Sequence, residues 1–163
     1  MKTLVAYYSR TGNTRLVAQA VAERLGADTE EITEPSDRGG VLRFVQSALE
    51  TRSGKTPTIN PASRDPSAYD LIVVGTPVWA GTLATPVKAY LTEHAGRLPA
   101  VAFLCTMKAQ GSRGAFKDMQ RLCGKAPKAT LEVNESLAKS GGYTELLEGF
   151  AESLLQPQRP QDA

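Results

Sequence analysis

Three hydroxyl residues, an amide and a glycine fall within six positions near the N-terminus, in the run Ser9-Arg10-Thr11-Gly12-Asn13-Thr14. An apolar run, Leu4-Val5-Ala6-Tyr7, precedes Tyr8 and reads as a buried strand. Arg15 to Leu25 follows, with apolar residues recurring at helical spacing. A loop of this kind between strand and helix is an anion receptor. Backbone N–H groups at the helix start point into it, and the helix dipole favours negative charge there. Ser9, Thr11 and Thr14 each offer a hydroxyl donor, and Gly12 lets the backbone approach closely. The same residue types also make an ordinary helix cap.

Two further turns follow apolar strands. Leu71-Ile72-Val73-Val74-Gly75 is a β-branched run suited to an interior parallel strand, and it leads into Thr76-Pro77-Val78-Trp79-Ala80-Gly81-Thr82. Thr85 as N-cap and Pro86 at the first helical position start the next helix. Trp79 is the only tryptophan. A lone Trp packs a core or, between Pro77 and Gly81, stands at a loop tip where its face is available for stacking. After the strand Val101–Cys105 comes Thr106-Met107-Lys108-Ala109-Gln110-Gly111-Ser112, a strand-to-helix turn with Ser112 as N-cap.

The run Ser9–Thr14 resembles the phosphate loop of flavodoxins, and Thr76–Thr82 resembles their second flavin loop, in which an aromatic side chain covers the isoalloxazine ring. The likeness extends along the element order and is sharpest at these two loops. It implies flavin mononucleotide (FMN) as cofactor and no protein residue with a catalytic role, since the cofactor carries the redox chemistry. The cofactor-binding set it implies is Ser9, Arg10, Thr11, Gly12, Asn13 and Thr14 in the first loop. Thr76, Pro77, Val78, Trp79, Ala80 and Gly81 belong to the second, and Thr106, Met107, Lys108 and Gly111 to the third. It also implies that a peptide at Ala80–Gly81 reorients toward the flavin N5, a motion that a glycine makes sterically cheap. Two activities fit: an electron-transfer protein, or an FMN-dependent NAD(P)H:quinone-type oxidoreductase acting on a small acceptor.

The elements that must position these loops alternate along the chain. Strands are expected at about Thr3–Ser9, Thr29–Thr33, Leu71–Gly75, Val101–Cys105 and Ala129–Val133. Helices are expected at Thr14–Leu25 (closed by Gly26), around Val41–Leu49, from Thr85 to near Gly96, at Arg113–Cys123 and at Tyr143–Leu155. Ser53–Pro66 reads as loop, and Glu30 and Glu31 suit an edge strand. Such alternation gives an α/β fold: a flavodoxin-like, doubly wound five-stranded parallel sheet of order 2-1-3-4-5 with helices on both faces. Residues 1–155 are expected to form one domain and 156–163 a disordered tail.

Composition excludes several classes. With 163 residues, 41% apolar, 22% charged and a net charge of +2, the chain has the make-up of an ordinary globular protein. No run approaches a membrane span, no signal-peptide pattern is present, and no nucleic-acid partner or metal site is expected. Cys105 lies in an apolar strand and Cys123 before Gly124, so two unpaired thiols in a reducing cytoplasm fit best. His94 falls in the last turn of a helix, where a C-terminal dipole accounts for it.

Rival folds fail on residues. A nicotinamide-binding fingerprint needs three glycines where Gly12 stands alone, and Gly54-Lys55-Thr56 lacks the first glycine of a P-loop because Leu49 occupies its place. Receiver-domain acids, a phosphatase cysteine in the first loop and a nucleophile elbow are all missing. The partner is expected to be a redox protein or a small electron acceptor. Lys108, Arg113, Lys117, Arg121, Lys125 and Lys128 form a basic stripe opposed only by Asp118, either a solvated face or a dock for an acidic partner.

Overall fold

The computed structural model describes residues 1–35 and 58–156. The expected helix around Val41–Leu49, the first part of the loop Ser53–Pro66 and the tail after Gln156 lie outside the described residues.

Strand β1 is Thr3–Tyr7, buried along its whole length. Helix α1, Asn13–Leu25, buries Val17, Ala18, Val21 and Ala22 at helical spacing and closes on Gly26 at φ 59°, a left-handed turn that glycine adopts without strain. Strand β2, Asp28–Glu31, is followed after the undescribed stretch by β3, Leu71–Trp79, and β4, Thr82–Leu83. The chain continues through α2 (Thr85–His94), β5 (Ala100–Met107), α3 (Ser112–Cys123), β6 (Thr130–Asn134), α4 (Glu135–Ser140) and α5 (Thr144–Leu155).

The parallel strands run in the order β2-β1-β3-β5-β6, which is the expected 2-1-3-4-5 sheet, with β4 added antiparallel to the end of β3. Alternate residues feed opposite cores. Leu4, Ala6, Ile72, Val74, Val101 and Phe103 pack with Val87, Tyr90 and Leu91 of α2 and Ala115 and Met119 of α3. Val5, Tyr7, Val73, Leu104, Leu131 and Val133 pack with α1 and with Leu147, Phe150 and Leu154 of α5. Burying both faces explains why the central strands are continuous apolar runs, and it makes a three-layer sandwich whose strand C-termini all face one end.

Local boundaries differ from expectation at points that matter. The chain does not leave the sheet at Gly75: β3 runs on to Trp79, and Val78 pairs with Leu83 and Trp79 with Thr82. Helix α2 is capped by Ala84 with Thr85 as its first residue, and α3 by Gly111 with Ser112 as its first, so neither Thr85 nor Ser112 is the N-cap. Helix α4 was not expected; it is short, and Ala138 is its one buried residue. Strand β2 is an edge, yet Glu30 is buried and accepts from the Ser63 amide at 2.9 Å. Arg64 donates to the Thr29 carbonyl at 3.1 Å and Asn60 to that of Thr33 at 2.8 Å, so residues 60–64 cover the polar edge.

Candidate functional site

The first loop is organised by its own side chains. Ser9 Oγ accepts from the Gly12 amide at 3.2 Å and the Arg15 amide at 3.1 Å, and Thr11 Oγ1 accepts from Asn13 Nδ2 at 3.3 Å. Thr14 is buried, with its hydroxyl 2.8 Å from that of Thr106 on β5. A hydroxyl has two lone pairs and one proton. These contacts use lone pairs, so Ser9, Thr11 and one member of the Thr14–Thr106 pair keep a proton to donate. The amides of Asn13 and Thr14 meet no acceptor among the described residues. Gly12 sits at φ 92°, and the first turn of α1 contains no acid. The loop therefore presents donors and the positive end of a helix dipole, and it fits a phosphate monoester.

The second segment is a hairpin with Ala80 at φ 48° and Gly81 at φ 79° in its turn, the conformation of a two-residue connection with both central φ positive. Ala80 is the one non-glycine residue at positive φ among the described residues. Such strain collects where a site requires it. Thr76 is fully buried and its hydroxyl is spent internally, accepting from the Ala84 amide at 3.0 Å and donating to the Pro77 carbonyl at 2.9 Å, which ties β3 to the start of α2. Pro77, Val78 and Trp79 are half-buried.

In the third segment Met107 ends β5 and is buried, Lys108 to Gln110 are exposed, and the Lys108 carbonyl accepts from Asn134 at 2.7 Å. Gly111 lies against the hairpin: a Cβ there would come within 2.9 Å of Gly81 Cα and of Val78 Cγ1. The structure thus brings the three predicted segments to one end of the sheet, at the C-terminal ends of β1, β3 and β5, by the topological switch point between β1 and β3.

A family model described as flavodoxin matches residues 2–150. The chain belongs to the flavodoxin family. No curated protein matches it. Among solved structures it is similar to a flavoprotein of Lactobacillus acidophilus in complex with FMN, at 24% identity and TM-score 0.66 over 85% of this chain and 97% of that one. A flavoprotein of Bacteroides eggerthii gives 19% identity and TM-score 0.70 over 92% and 98%. A WrbA-like flavodoxin of Agrobacterium tumefaciens gives 18% and 0.63 over 93% and 95%.

Around the loops of this flavodoxin lie residues outside the expected set. Tyr8, just before the loop, is 9% exposed and meets Trp79 in a T-shaped contact, with centroids 5.7 Å apart and planes at 89°. Its hydroxyl donates to Glu34 Oε2 at 3.1 Å. Burial, then the Glu34 charge, push the Tyr8 phenol up to about 12, so it stays a donor. The Arg10 guanidinium lies 5.8 Å from the centre of the Trp79 ring, a cation–π distance. Trp79 is half-buried against the edge of the core, and Tyr8 and Arg10 flank its ring. On the other side of the hairpin, Thr82 donates to Asp118 Oδ2 at 2.8 Å, and a Cβ on Gly114 would overlap the Gly81 carbonyl oxygen. Gly114 had a signal in the sequence, a glycine inside a predicted helix. Glu34 had none, because its partner is 26 positions away.

Cys105 is buried, and burial pushes its thiol up, as expected of an inert core residue. His94 is not held as a cation by the helix terminus: it is 3% exposed, and Arg97 Nη2 lies 2.9 Å from its Nδ1, which must then accept. Among the described residues no helix is long and apolar enough to cross a membrane.

Proposed function

We propose that this flavodoxin-family chain binds FMN and works as an electron-transfer protein. The observation that carries the reading is the hydrogen-bond pattern of the Ser9–Thr14 loop, whose internal contacts use lone pairs and leave protons and amides for an anion. Membership of the flavodoxin family supports FMN as that ligand. FMN supplies one- and two-electron redox chemistry when bound. The chain's own residues bind and orient it. Ser9, Thr11, Gly12, Asn13 and Thr14 hold the phosphate, with Arg10 beside them. Trp79, fixed by Tyr8, offers a stacking face, and the Ala80–Gly81 turn supplies backbone groups to the ring. Gly111 lets the third loop close against the hairpin. With Thr76 and Thr106 hydroxyls engaged internally, these two positions serve the site by fixing its walls.

The decisive experiment is an FMN titration read on the single tryptophan. Stacking predicts strong quenching of Trp79 emission, and unchanged emission at saturation would place the ring elsewhere. The net charge of +2 favours a second reading, an FMN-dependent reductase, because carriers of this family are typically acidic. Mixing the holoprotein with NADH or NADPH separates the two: flavin bleaching marks a reductase, and its absence marks a carrier.

A further inference from the structure

We propose that the exposed face of α3 is the docking surface for an acidic redox protein, which it seats beside the flavin hairpin. The inference rests on the FMN reading above and adds to it the chemistry of the partner. Residues 108–128 carry six cations, Lys108, Arg113, Lys117, Arg121, Lys125 and Lys128, against the single anion Asp118. The whole chain has 19 cations and 17 anions, which leaves 13 cations and 16 anions for everything else. Residues 108–128 thus carry a net charge of +5, against −3 for the rest of the chain taken together.

Geometry gives that region its direction. Arg113, Lys117 and Arg121 recur every four residues on α3 and are all exposed, while Ala115 and Met119 face the core. Asp118 offsets one of these charges only: its carboxylate accepts from Thr82 at 2.8 Å and meets Arg121 at 3.5 Å. Among the described residues Arg121 alone of the six forms an ion pair. The face also begins at the site. Gly111 and Gly114, lacking side chains, allow the hairpin tip at Gly81 to lie directly on the first turn of α3, and Thr82–Asp118 fastens it there. A protein seated on Arg113 and Lys117 is therefore held next to Trp79 and the third loop.

The size of the face selects a macromolecule over a small anionic reductant. Arg113 to Arg121 spans about 12 Å of convex helix, whereas dinucleotides are held in concave clefts. The negative remainder of the chain suits a compact acidic patch better than an extended polyanion such as nucleic acid. In the reaction, the reduced acidic protein would give up one electron to the FMN, with any accompanying proton taken from solvent.

The test uses FMN-loaded wild type and an Arg113→Glu/Lys117→Glu variant, with reduced plant-type [2Fe–2S] ferredoxin as the acidic donor. At low salt the second-order rate constant should fall at least tenfold in the variant. The wild-type rate should drop with added salt while the variant's stays flat, and FMN affinity should agree within twofold. A ferredoxin rate indifferent to the substitutions overturns the proposal, and an effect confined to reduction by NADPH overturns it in favour of a small anionic reductant. Binding of a DNA duplex as tightly as ferredoxin at equal salt overturns the protein assignment. Should wild type fail to bind FMN, the functional reading fails instead. Docking is then read by titrating both apoproteins with oxidised ferredoxin, where equal affinities would overturn it.

Discussion

Thr11 is exposed, and among the described residues its one hydrogen bond is that which it accepts from Asn13, so removing its hydroxyl tests ligand binding with little disturbance of the fold. A hydrogen bond to a charged group is worth about 1.5–3 kcal/mol. Thr11→Ala should therefore weaken FMN about tenfold or more and leave riboflavin, which lacks the phosphate, unchanged. Isothermal titration with both ligands checks this, and an equal loss for riboflavin would remove the phosphate from the loop. His94 gives a second residue-scale prediction, on stability. Desolvation by burial holds its pKa below the ordinary imidazole value of 6.5, and Arg97 pushes the same way against the opposing charges of Glu93, Asp65 and Glu30. Protonation would also turn the Nδ1 that accepts from Arg97 into a donor facing a guanidinium. A folded-state pKa below the unfolded one means that His94 contributes stability above pH 6.5, which is lost as the pH falls below it. Urea midpoints measured between pH 8 and pH 5 should fall on the acid side, and His94→Phe should flatten that fall. Parallel curves for the two proteins would exclude His94 as the cause.

At the scale of elements, Gly114 and Gly149 make opposite predictions from the same substitution. Both lie in helices, where alanine is favoured over glycine by about 0.5–1 kcal/mol. Gly149 has nothing within 4 Å of a Cβ position, so Gly149→Ala should raise stability by about that amount. At Gly114 the added carbon meets the Gly81 carbonyl, a backbone atom that can yield only if the hairpin moves, so Gly114→Ala should lower the thermal midpoint and weaken FMN binding together. A stabilised Gly114→Ala variant with unchanged affinity would show that the hairpin does not need this contact. The contrast also shows what the sequence makes legible. Leu4–Tyr7, Leu71–Val74 and Val101–Cys105 announce interior strands because both their faces are buried, and the hydroxyls of the first loop carry their chemistry in their residue types. Glu135–Ser140 carries no such signal, since a helix with only Ala138 buried has no apolar period to read. Thr76-Pro77 resembles a turn by composition, yet both stay in the sheet, in register with Cys105 and Thr106 of β5, and the Thr76 hydroxyl supplies a partner to the Ala84 amide and the Pro77 carbonyl. The Tyr8–Glu34 and Thr82–Asp118 bonds join distant segments, and nothing local in either segment specifies them.

For the molecule as a whole, the segregation of charge bears on the energy of the reduced cofactor. Reduction adds negative charge at a site bordered by Arg10 and Lys108 and by the cations of α3, and the field of a protein at one point is the sum of all its charges. Acids work against them: the Glu34 carboxylate, held by Tyr8, lies at the same end of the sheet, and the Asp118 carboxylate accepts from Thr82 beside the hairpin. The number of cations decides the sign, so the second reduction potential should be less negative than in an acidic flavodoxin. Lys108 is exposed, and a unit charge near water and several ångströms away is worth about 1 kcal/mol or less. For a one-electron step, where about 59 mV is a factor of ten, Lys108→Glu should lower the second potential by a few tens of millivolts, while Glu34→Gln raises it. Screening adds an independent check, because rising ionic strength should move the wild-type value toward that of Lys108→Glu. Potentiometric titration of the three proteins at low and high salt measures all of this. Identical second potentials in wild type and Lys108→Glu would leave the basic region without influence on the flavin and confine its part to the encounter with a partner.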